Sequence, residues 1–219
     1  MTEASGESKA LAGRVALVTG GCGGLGQATA RRLKRDGATV IISDLEATQG
    51  QSIADELGVQ FLAQDVSDVV AWRAAVEQIT AEHGALDILV NNAAILRADN
   101  IESETLEQFQ RVMAVNCESV FLGIQHCLPL MSRPGAAIIN VCSSSAERGY
   151  PQFVAYTASK AAVRSLTMST AVYLKQQGRA VRCNSVHPDG IITPMVMNIE
   201  GAPPEMSRCL LYSSDAADE

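Results

Sequence analysis

Short apolar runs alternate with amphipathic segments along most of the chain. The apolar runs contain almost no polar positions, which is typical of strands that are buried on both faces. They predict six strands, at 15–18, 39–42, 59–62, 86–90, 136–141 and 182–186. Segments with apolar residues at helical spacing lie between them and predict helices at 28–35, 47–57, 69–82, 105–131 and about 152–177. This order predicts an α/β fold, a doubly wound parallel sheet covered by helices on both faces.

The pattern indicates a single domain over residues 14–200, preceded by a polar, flexible leader at 1–13. A chain of 219 residues with 47% hydrophobic and 19% charged residues is ordinary for a globular protein. Its net charge of −7 disfavours a nucleic acid or an anionic membrane as a partner. The sequence shows neither the apolar core of a signal peptide nor an apolar stretch of about 20 residues, so we expect a cytoplasmic protein.

The cysteines indicate a reducing compartment and no metal site. None of the six forms a Cys-x-x-Cys motif, and none has zinc-like spacing to the three histidines. We therefore expect small buried side chains at these positions. The six residues are Cys22, Cys117, Cys127, Cys142, Cys183 and Cys209.

A glycine-rich turn joins the first predicted strand to the first predicted helix. Gly20, Gly24 and Gly26 would allow a tight turn in which backbone N–H groups approach a pyrophosphate at the helix N-terminus. Cys22 and Leu25 lie inside this turn and are expected to contact the same ligand. The alternative is a loop that only requires flexible residues, but its place between a strand and a helix favours dinucleotide binding.

The residues after the second strand favour NAD over NADP. Asp44 lies about 20 residues past the glycines, where a carboxylate accepts hydrogen bonds from an adenosine ribose. A 2′-phosphate would meet negative charge there, since the following Leu45 and Glu46 are not basic. The alternative is an ordinary aspartate at the end of a strand.

Tyr156 and Lys160 are four residues apart, so on a helix they share one face. A phenol that transfers a proton near pH 7 must have its pKa lowered by about 3 units, or roughly 4 kcal/mol. An ammonium about 4 Å away at an effective dielectric of about 20 supplies roughly that energy. Ser143, thirteen residues upstream, is a candidate hydroxyl donor to the reacting oxygen. The alternative is a tyrosine and a lysine on the side of a surface helix.

Several motifs together resemble the classical short-chain dehydrogenases/reductases, over about residues 11–198. The resemblance implies a Rossmann fold and a nicotinamide-dependent oxidoreductase. Within that family, Glu118-Ser119-Val120-Phe121 and His187-Pro188-Asp189-Gly190-Ile191 are most similar to bacterial 3β/17β-hydroxysteroid dehydrogenases. The motifs are Thr19-Gly20-x-x-x-Gly24-x-Gly26, Asn91-Asn92-Ala93-Ala94, Asn116, Ser143, Tyr156-x-x-x-Lys160, His187-Pro188-Asp189-Gly190 and Thr193-Pro194.

The resemblance also implies a role for each catalytic position. Tyr156 would be the general acid/base. Lys160 would lower the pKa of Tyr156 and hold the nicotinamide ribose, so both residues would also contact the cofactor. Ser143 would bind the substrate oxygen, and Asn116 would help hold a water that links Lys160 to solvent.

On the cofactor side, the resemblance implies that Asp65 and Val66 meet the adenine, and that Asn92 and Ala93 line the adenosine side. Ile191 and Thr193 would meet the nicotinamide carboxamide, whereas Asn91 would tie strands together. Two positions depart from the family pattern, since Ala94 and Asp189 each stand where glycine is usual.

The expected function is NAD-linked interconversion of a secondary alcohol and a ketone, with hydroxysteroids as one candidate class. Alternatives are an NADPH-dependent 3-oxoacyl-type ketoreductase and an NAD-binding protein without turnover. We expect the substrate to be a small alcohol or ketone. Candidate residues for its pocket are Arg148, Tyr150, Gln152, Phe153, Met195 and Met197, and the alternative for each is a role in local packing only.

The resemblance ends near residue 200, whereas the family normally continues for about 50 residues with a lid and a seventh strand. We therefore expect a truncated chain that lacks the seventh strand, with a partial lid and a non-native tail at 201–219. By the same resemblance, a full-length chain would form a homodimer or homotetramer through the helices at 105–131 and 152–177.

Overall fold

The computed structural model describes residues 9–45 and 47–201, and its centre is a parallel six-stranded sheet in the order β3-β2-β1-β4-β5-β6. This confirms the predicted doubly wound α/β fold. The strand order reverses between β1 and β4, which opens a crevice at the carboxyl ends of the strands. The strands are β1 Val15–Thr19, β2 Thr39–Asp44, β3 Gln60–Ala63, β4 Ile88–Asn91, β5 Ala137–Val141 and β6 Arg182–Val186.

Within the described residues, seven α-helices connect or follow the strands. The predicted helix at 105–131 is one helical region, but a π-helical turn at Ala114–Glu118 and a final 3₁₀ turn at Leu128–Leu130 interrupt the α-helical pattern. A second 3₁₀ turn at Ser144–Ala146 follows β5. The α-helices are α1 Gly24–Arg35, α2 Ala47–Leu57, α3 Val69–His83, α4 Leu106–Met113, α5 Ser119–Cys127, α6 Val154–Gln176 and α7 Pro194–Met197.

The sheet is buried on both faces, as its apolar strands predict. Alternate residues of β1 point to opposite faces, so Leu17 joins one core cluster and Val18 joins the other. The first cluster includes Trp72 of α3 and Leu174 of α6, and the second includes residues of α1 and α2. All five residues of β1 are buried, which explains its uninterrupted apolar run.

A buried polar chain crosses the middle of the sheet. Asn91 Nδ2 of β4 donates to Asn140 Oδ1 of β5 at 2.9 Å, and Asn140 Nδ2 donates to Thr167 Oγ1 of α6 at 2.8 Å. The prediction that Asn91 ties strands together is therefore confirmed. These bonds fix β5 and α6 relative to each other; α6 carries Tyr156 and Lys160, and Ser143 follows β5 by two residues.

At the other end of the described chain, β6 pairs with β5 and has no second partner strand among residues 9–45 and 47–201. Residues 1–8 of the expected leader at 1–13, and residues 202–219 of the expected tail, lie outside the described residues. Within the described part, no helix combines the length and apolarity needed to cross a bilayer.

Candidate active site

A cavity of about 520 Å³ lies at the carboxyl ends of the strands. It brings together every predicted catalytic and cofactor-binding residue except Cys22 and Asn116. The predicted residues that line it are Gly20, Gly24, Leu25, Gly26, Asp44, Leu45, Asp65, Val66, Asn92, Ala93, Ser143, Tyr156, Lys160, Ile191 and Thr193. The sequence motifs, which are spread over more than 170 residues, therefore meet at one place.

Close packing explains the glycines of the turn. Gly20 has φ +61°, and a Cβ there would lie 2.7 Å from Ala93 Cα. A Cβ on Gly26 would overlap the carbonyl oxygen of Gly20. Helix α1 begins at Gly24, four residues before its predicted start, and no side chain caps its N-terminus. Uncapped N–H groups at a helix start are suited to bind an anion such as a phosphate.

Residues of β1 and the β4 loop hold this turn in place. Thr19 Oγ1 accepts hydrogen bonds from the backbone N–H groups of Asn92 and Ala93, at 3.0 and 3.1 Å. Asn92 Nδ2 donates to the carbonyl oxygens of Thr19 and Gly20, at 2.9 and 3.0 Å. The side chain of Asn92 therefore positions the glycine turn.

The carboxylate of Asp44 lies beside the turn. Asp44 Oδ2 accepts from the Cys22 N–H and Oδ1 from the Leu45 N–H, both at 2.9 Å. Each carboxylate oxygen can accept more than one hydrogen bond, so Asp44 keeps acceptor capacity toward the cavity. Cys22 does not line the cavity, and burial together with the Asp44 charge raises the pKa of its thiol to about 11.

Asp65 and Val66 line the cavity after β3. Asp65 Oδ1 accepts hydrogen bonds from the backbone and the hydroxyl of Ser67, at 2.8 and 2.6 Å. The carbonyl oxygen of buried Val66 accepts from Trp72 Nε1 at 2.8 Å. Both residues are thereby held in fixed positions at the predicted adenine end.

A compact group of side chains lies at the start of α6. It contains Tyr156 and Lys160 of the helix and Ser143, which follows β5. Lys160 Nζ lies 5.6 Å from the centroid of the Tyr156 ring and donates to the Val141 carbonyl oxygen at 2.8 Å. Burial lowers the pKa of Lys160 to about 8. Burial also raises the pKa of Tyr156 to about 12, although a hydrogen bond with Ser143 opposes this. The predicted lowering of the tyrosine pKa is therefore wrong for the chain by itself, because desolvation of the phenolate outweighs its favourable contacts.

The loop after β6 positions Ser143, and this connection was missed from the sequence. Ser143 Oγ accepts from the Ser145 N–H at 3.1 Å, and the Ser143 carbonyl oxygen lies 3.2 Å from His187 Nδ1. Ser144 Oγ donates to Asp189 Oδ1 at 2.9 Å. The aspartate that replaces the usual glycine therefore joins the loop after β6 to the serine turn. Its only sequence signal was that replacement.

Asn116 lies in the π-helical turn, fully buried and outside the cavity lining. Its Oδ1 accepts from the Ile95 N–H at 2.8 Å, and its Nδ2 donates to the Ile95 carbonyl oxygen at 3.0 Å and to Ser159 Oγ at 3.1 Å. These bonds occupy the side chain in joining the loop after β4 to α6. The predicted role of Asn116 in holding a water stays a prediction.

The predicted substrate pocket needs correction. Arg148, Tyr150, Gln152, Phe153 and Met197 do not line the cavity, whereas Met195 does. The Phe153 side chain is buried in a small apolar cluster at the start of α6 and is unavailable as a wall. Other described lining residues were missed because they lie in loops or on a helix without a distinctive pattern. They include Ala94, Ile95, Arg111, Ala114, Val115 and Val196.

Comparison with known proteins agrees with this geometry. The family model described as short chain dehydrogenase matches residues 14–203. A 3-beta-hydroxysteroid dehydrogenase of Comamonas testosteroni is 43% identical over 188 residues, which cover 85% of this chain and 74% of that protein. A 3-alpha-(or 20-beta)-hydroxysteroid dehydrogenase of Mycobacterium tuberculosis (strain ATCC 25618 / H37Rv) is 40% identical over 188 residues, covering 84% and 72%.

An NADP-dependent (R)-specific alcohol dehydrogenase of Lentilactobacillus kefiri is also similar, with 36% identity over 204 residues. The aligned region covers 90% of this chain and 81% of that protein. The family match spans most of the chain, and the aligned relatives are dehydrogenases. This chain therefore belongs to the short-chain dehydrogenase/reductase family.

Proposed function

We propose that the chain interconverts a secondary alcohol and its ketone with NAD(H), using Tyr156 as the general acid/base. One observation carries this proposal. A single cavity joins the glycine turn and Asp44, beside β1 and β2, to the group of Ser143, Tyr156 and Lys160, beside β5 and α6. It offers a place for a dinucleotide and for a reacting oxygen in the same space.

The residues present fit a nicotinamide dinucleotide. The uncapped start of α1 and the tight glycine turn suit a pyrophosphate, and the free acceptor capacity of Asp44 suits ribose hydroxyls. Lys160 is a buried cation that donates one of its three protons to the Val141 carbonyl oxygen. When bound, the dinucleotide accepts or supplies the hydride.

The charges near Asp44 support NAD over NADP. Among the described residues that line the cavity, Arg111 and Lys160 carry the only positive charges. Neither lies on β2 or in the turn that follows it, where a 2′-phosphate would meet the Asp44 carboxylate. Since the relative from Lentilactobacillus kefiri is NADP-dependent, this position is the one to test.

The chain's own residues would manage the proton. Ser143 Oγ accepts from a backbone N–H, and its own hydroxyl proton, which is shared with Tyr156 in the free chain, can be donated to the substrate oxygen instead. The alcohol oxygen would lie between Ser143 and Tyr156, and Tyr156 would take the hydroxyl proton during oxidation. Lys160 has a pKa of about 8, so it is mostly charged at pH 7 and stabilises the phenolate that must form.

The variant Tyr156→Phe tests this assignment. It should lower kcat for a secondary alcohol by about 10²-fold or more, since the proton-transfer group is lost. The dissociation constant for NAD, measured by titration calorimetry, should stay within about twofold, because the ring is retained. Tyr150→Phe is the matched control, as Tyr150 does not line the cavity. Near-normal turnover by Tyr156→Phe would refute the assignment.

Cofactor preference separates the alternatives. The proposal expects kcat/KM with NAD to exceed that with NADP, and Asp44→Ala should reduce this preference. A preference for NADPH would instead favour a 3-oxoacyl-type ketoreductase. Binding of NAD without oxidation of any alcohol in a panel of hydroxysteroids, cyclic alcohols and linear secondary alcohols would favour a dinucleotide-binding protein. The names of the hydroxysteroid dehydrogenase relatives support starting with the steroids.

We also propose a homo-oligomer in the cytoplasm. Exposed apolar side chains on the predicted interface helices support the first part, namely Leu106, Phe121, Met168, Val172 and Tyr173. Light scattering after size exclusion would measure the assembly, and a monomer at micromolar concentration would contradict it.

A further inference from the structure

Residues 193–201, which we call the strap, include α7 and cross one side of the catalytic cavity. Thr193, Met195 and Val196 line the cavity. At its first end the strap packs on the glycine turn, where a Cβ on Gly24 would lie 3.2 Å from Thr193 Cγ2. The strap is therefore attached to the half of the cavity that we assign to the dinucleotide.

The second end is held on the loop after β4. The Ala98 N–H donates to the Glu200 carbonyl oxygen at 2.7 Å, in a parallel bridge that pairs Arg97 with Glu200. Gly201 follows with φ +81°, and a Cβ there would lie 2.6 Å from the Ala98 carbonyl oxygen. Only glycine therefore fits both the backbone conformation and the close approach at this position.

A small apolar cluster connects this second end to the catalytic tyrosine. Ile199 is 7% exposed and is buried together with Ala98 and Phe153, and the partly buried Tyr156 packs against the same cluster. A shift of the strap would therefore change the packing around Tyr156 as well as the wall of the cavity.

An ion pair lies beside the same contact between the strap and the loop after β4. Arg97 Nη1 lies 2.9 Å from Glu200 Oε1, and Arg97 Nη2 lies 3.6 Å from Asp99 Oδ2. The Arg97 side chain is mostly covered, and its Nε is buried without a hydrogen-bond partner in the described structure. Its position therefore depends on these two carboxylates.

We propose that Arg97 and Glu200 are positioning residues that hold the strap over the cavity and thereby set the affinity for the alcohol substrate. This inference rests on the proposed function only for the identity of that substrate. The anchoring of the strap itself is a property of the fold, and it can be measured without turnover.

Amide hydrogen exchange of the whole chain tests the anchoring. Gly201→Ala should make the segments 97–99 and 193–201 exchange about tenfold faster, because the new methyl group displaces the bridge. Gly178→Ala is the matched control, since Gly178 has a similar φ of +64° but open space around it. It introduces comparable backbone strain and should leave both segments unchanged. Equal exchange of these segments in wild type and Gly201→Ala would overturn the proposal.

Substitutions that reverse the charges of the Arg97–Glu200 ion pair test the positioning role. Glu200→Lys should raise KM for the alcohol about two- to fivefold, which is the size of an exposed ion-pair effect. The NAD dissociation constant should stay near wild type, because the Thr193 end of the strap stays packed on the glycine turn. Arg97→Glu combined with Glu200→Lys and Asp99→Asn should return KM toward wild type, since the third substitution removes the carboxylate that would repel a glutamate at position 97. A purely structural defect would not be rescued by reversing the charges, so absence of rescue would refute the role.

The two proposals fail in different ways. If the wild-type chain does not bind or use NAD, the proposed function is wrong, and hydrogen exchange still decides whether the strap is anchored as described. If NAD-linked turnover is present while Glu200→Lys leaves KM unchanged, the proposed function stands and the strap proposal is wrong.

Discussion

Replacing Lys160 with methionine removes a buried positive charge from beside the proposed general base. Lys160 Nζ lies 5.6 Å from the Tyr156 ring centroid. If the phenolate charge is placed at the ring centroid, a unit charge at that distance stabilises it by about 3 kcal/mol at an effective dielectric of about 20. This equals about two pKa units, so the phenolate should become about 100-fold less available in Lys160→Met. We expect kcat for alcohol oxidation at pH 7 and saturating NAD to fall by about the same factor.

The pH dependence makes this prediction sharper. The pKa of Lys160 is lowered to about 8, so its ammonium loses its proton above that pH. The ratio of wild-type to Lys160→Met kcat should therefore be largest below pH 8 and decrease above it. Initial rates between pH 6 and 10 would measure the ratio. Lys175→Met is the control, since Lys175 is an exposed lysine on the same helix.

Thermal unfolding must accompany these rates, since Lys160→Met leaves the Val141 carbonyl oxygen without its donor. An unpaired buried acceptor costs about 1–3 kcal/mol. The folded fraction at the assay temperature should therefore be measured for each variant. A loss below about threefold in a fully folded Lys160→Met would refute the electrostatic role that we assign to this ammonium.

Three further predictions concern the stability of the folded chain. First, Lys160 binds more protons in the unfolded chain than in the folded chain between pH 8 and 10.5. The free energy of unfolding of wild type, measured relative to that of Lys160→Met, should therefore rise with pH across this window, by about 3 kcal/mol at most. Denaturant titrations at several pH values would detect it. Second, Gly21→Ala should destabilise by about 1–3 kcal/mol, because its Cβ would overlap Ile42, whereas Gly149→Ala meets open space and should be nearly neutral. Third, Asp87→Asn should cost about 3 kcal/mol in urea unfolding, since this buried carboxylate accepts from two arginines and a backbone N–H.

The fold was predictable because the four central strands, β1, β2, β4 and β5, are fully or largely buried. A strand such as β1, with five buried residues, must be an apolar run, and such runs alternate with helical periodicity along the chain. The helix boundaries were harder to predict from the sequence. The early start of α1 was missed because Gly24 and Gly26 are poor helix formers, yet close packing requires glycine at both positions.

The candidate site was predictable where a residue type and a spacing carry chemistry, as for Tyr156 and Lys160. The site was not predictable where tertiary contacts determine which side chains line the cavity and which loops pack together. Residues 148–153 follow Ser143 in sequence, yet Phe153 turns into the apolar cluster under the strap. Likewise, the hydrogen bond from Ser144 to Asp189 joins two loops that are 45 residues apart, and no local pattern records such a pairing.

The same reason explains why the sign of the tyrosine pKa shift could not be read from the sequence. Spacing places a cation near a phenol, but burial determines which ionic states both groups prefer, and it favours the neutral form of each. A charged phenolate is therefore more accessible while the neighbouring ammonium is charged. Proton transfer by Tyr156 near pH 7 then requires Lys160 to hold its charge in a buried site. Its hydrogen bond to the Val141 carbonyl oxygen supports that state, because a carbonyl oxygen accepts from an ammonium and stabilises it.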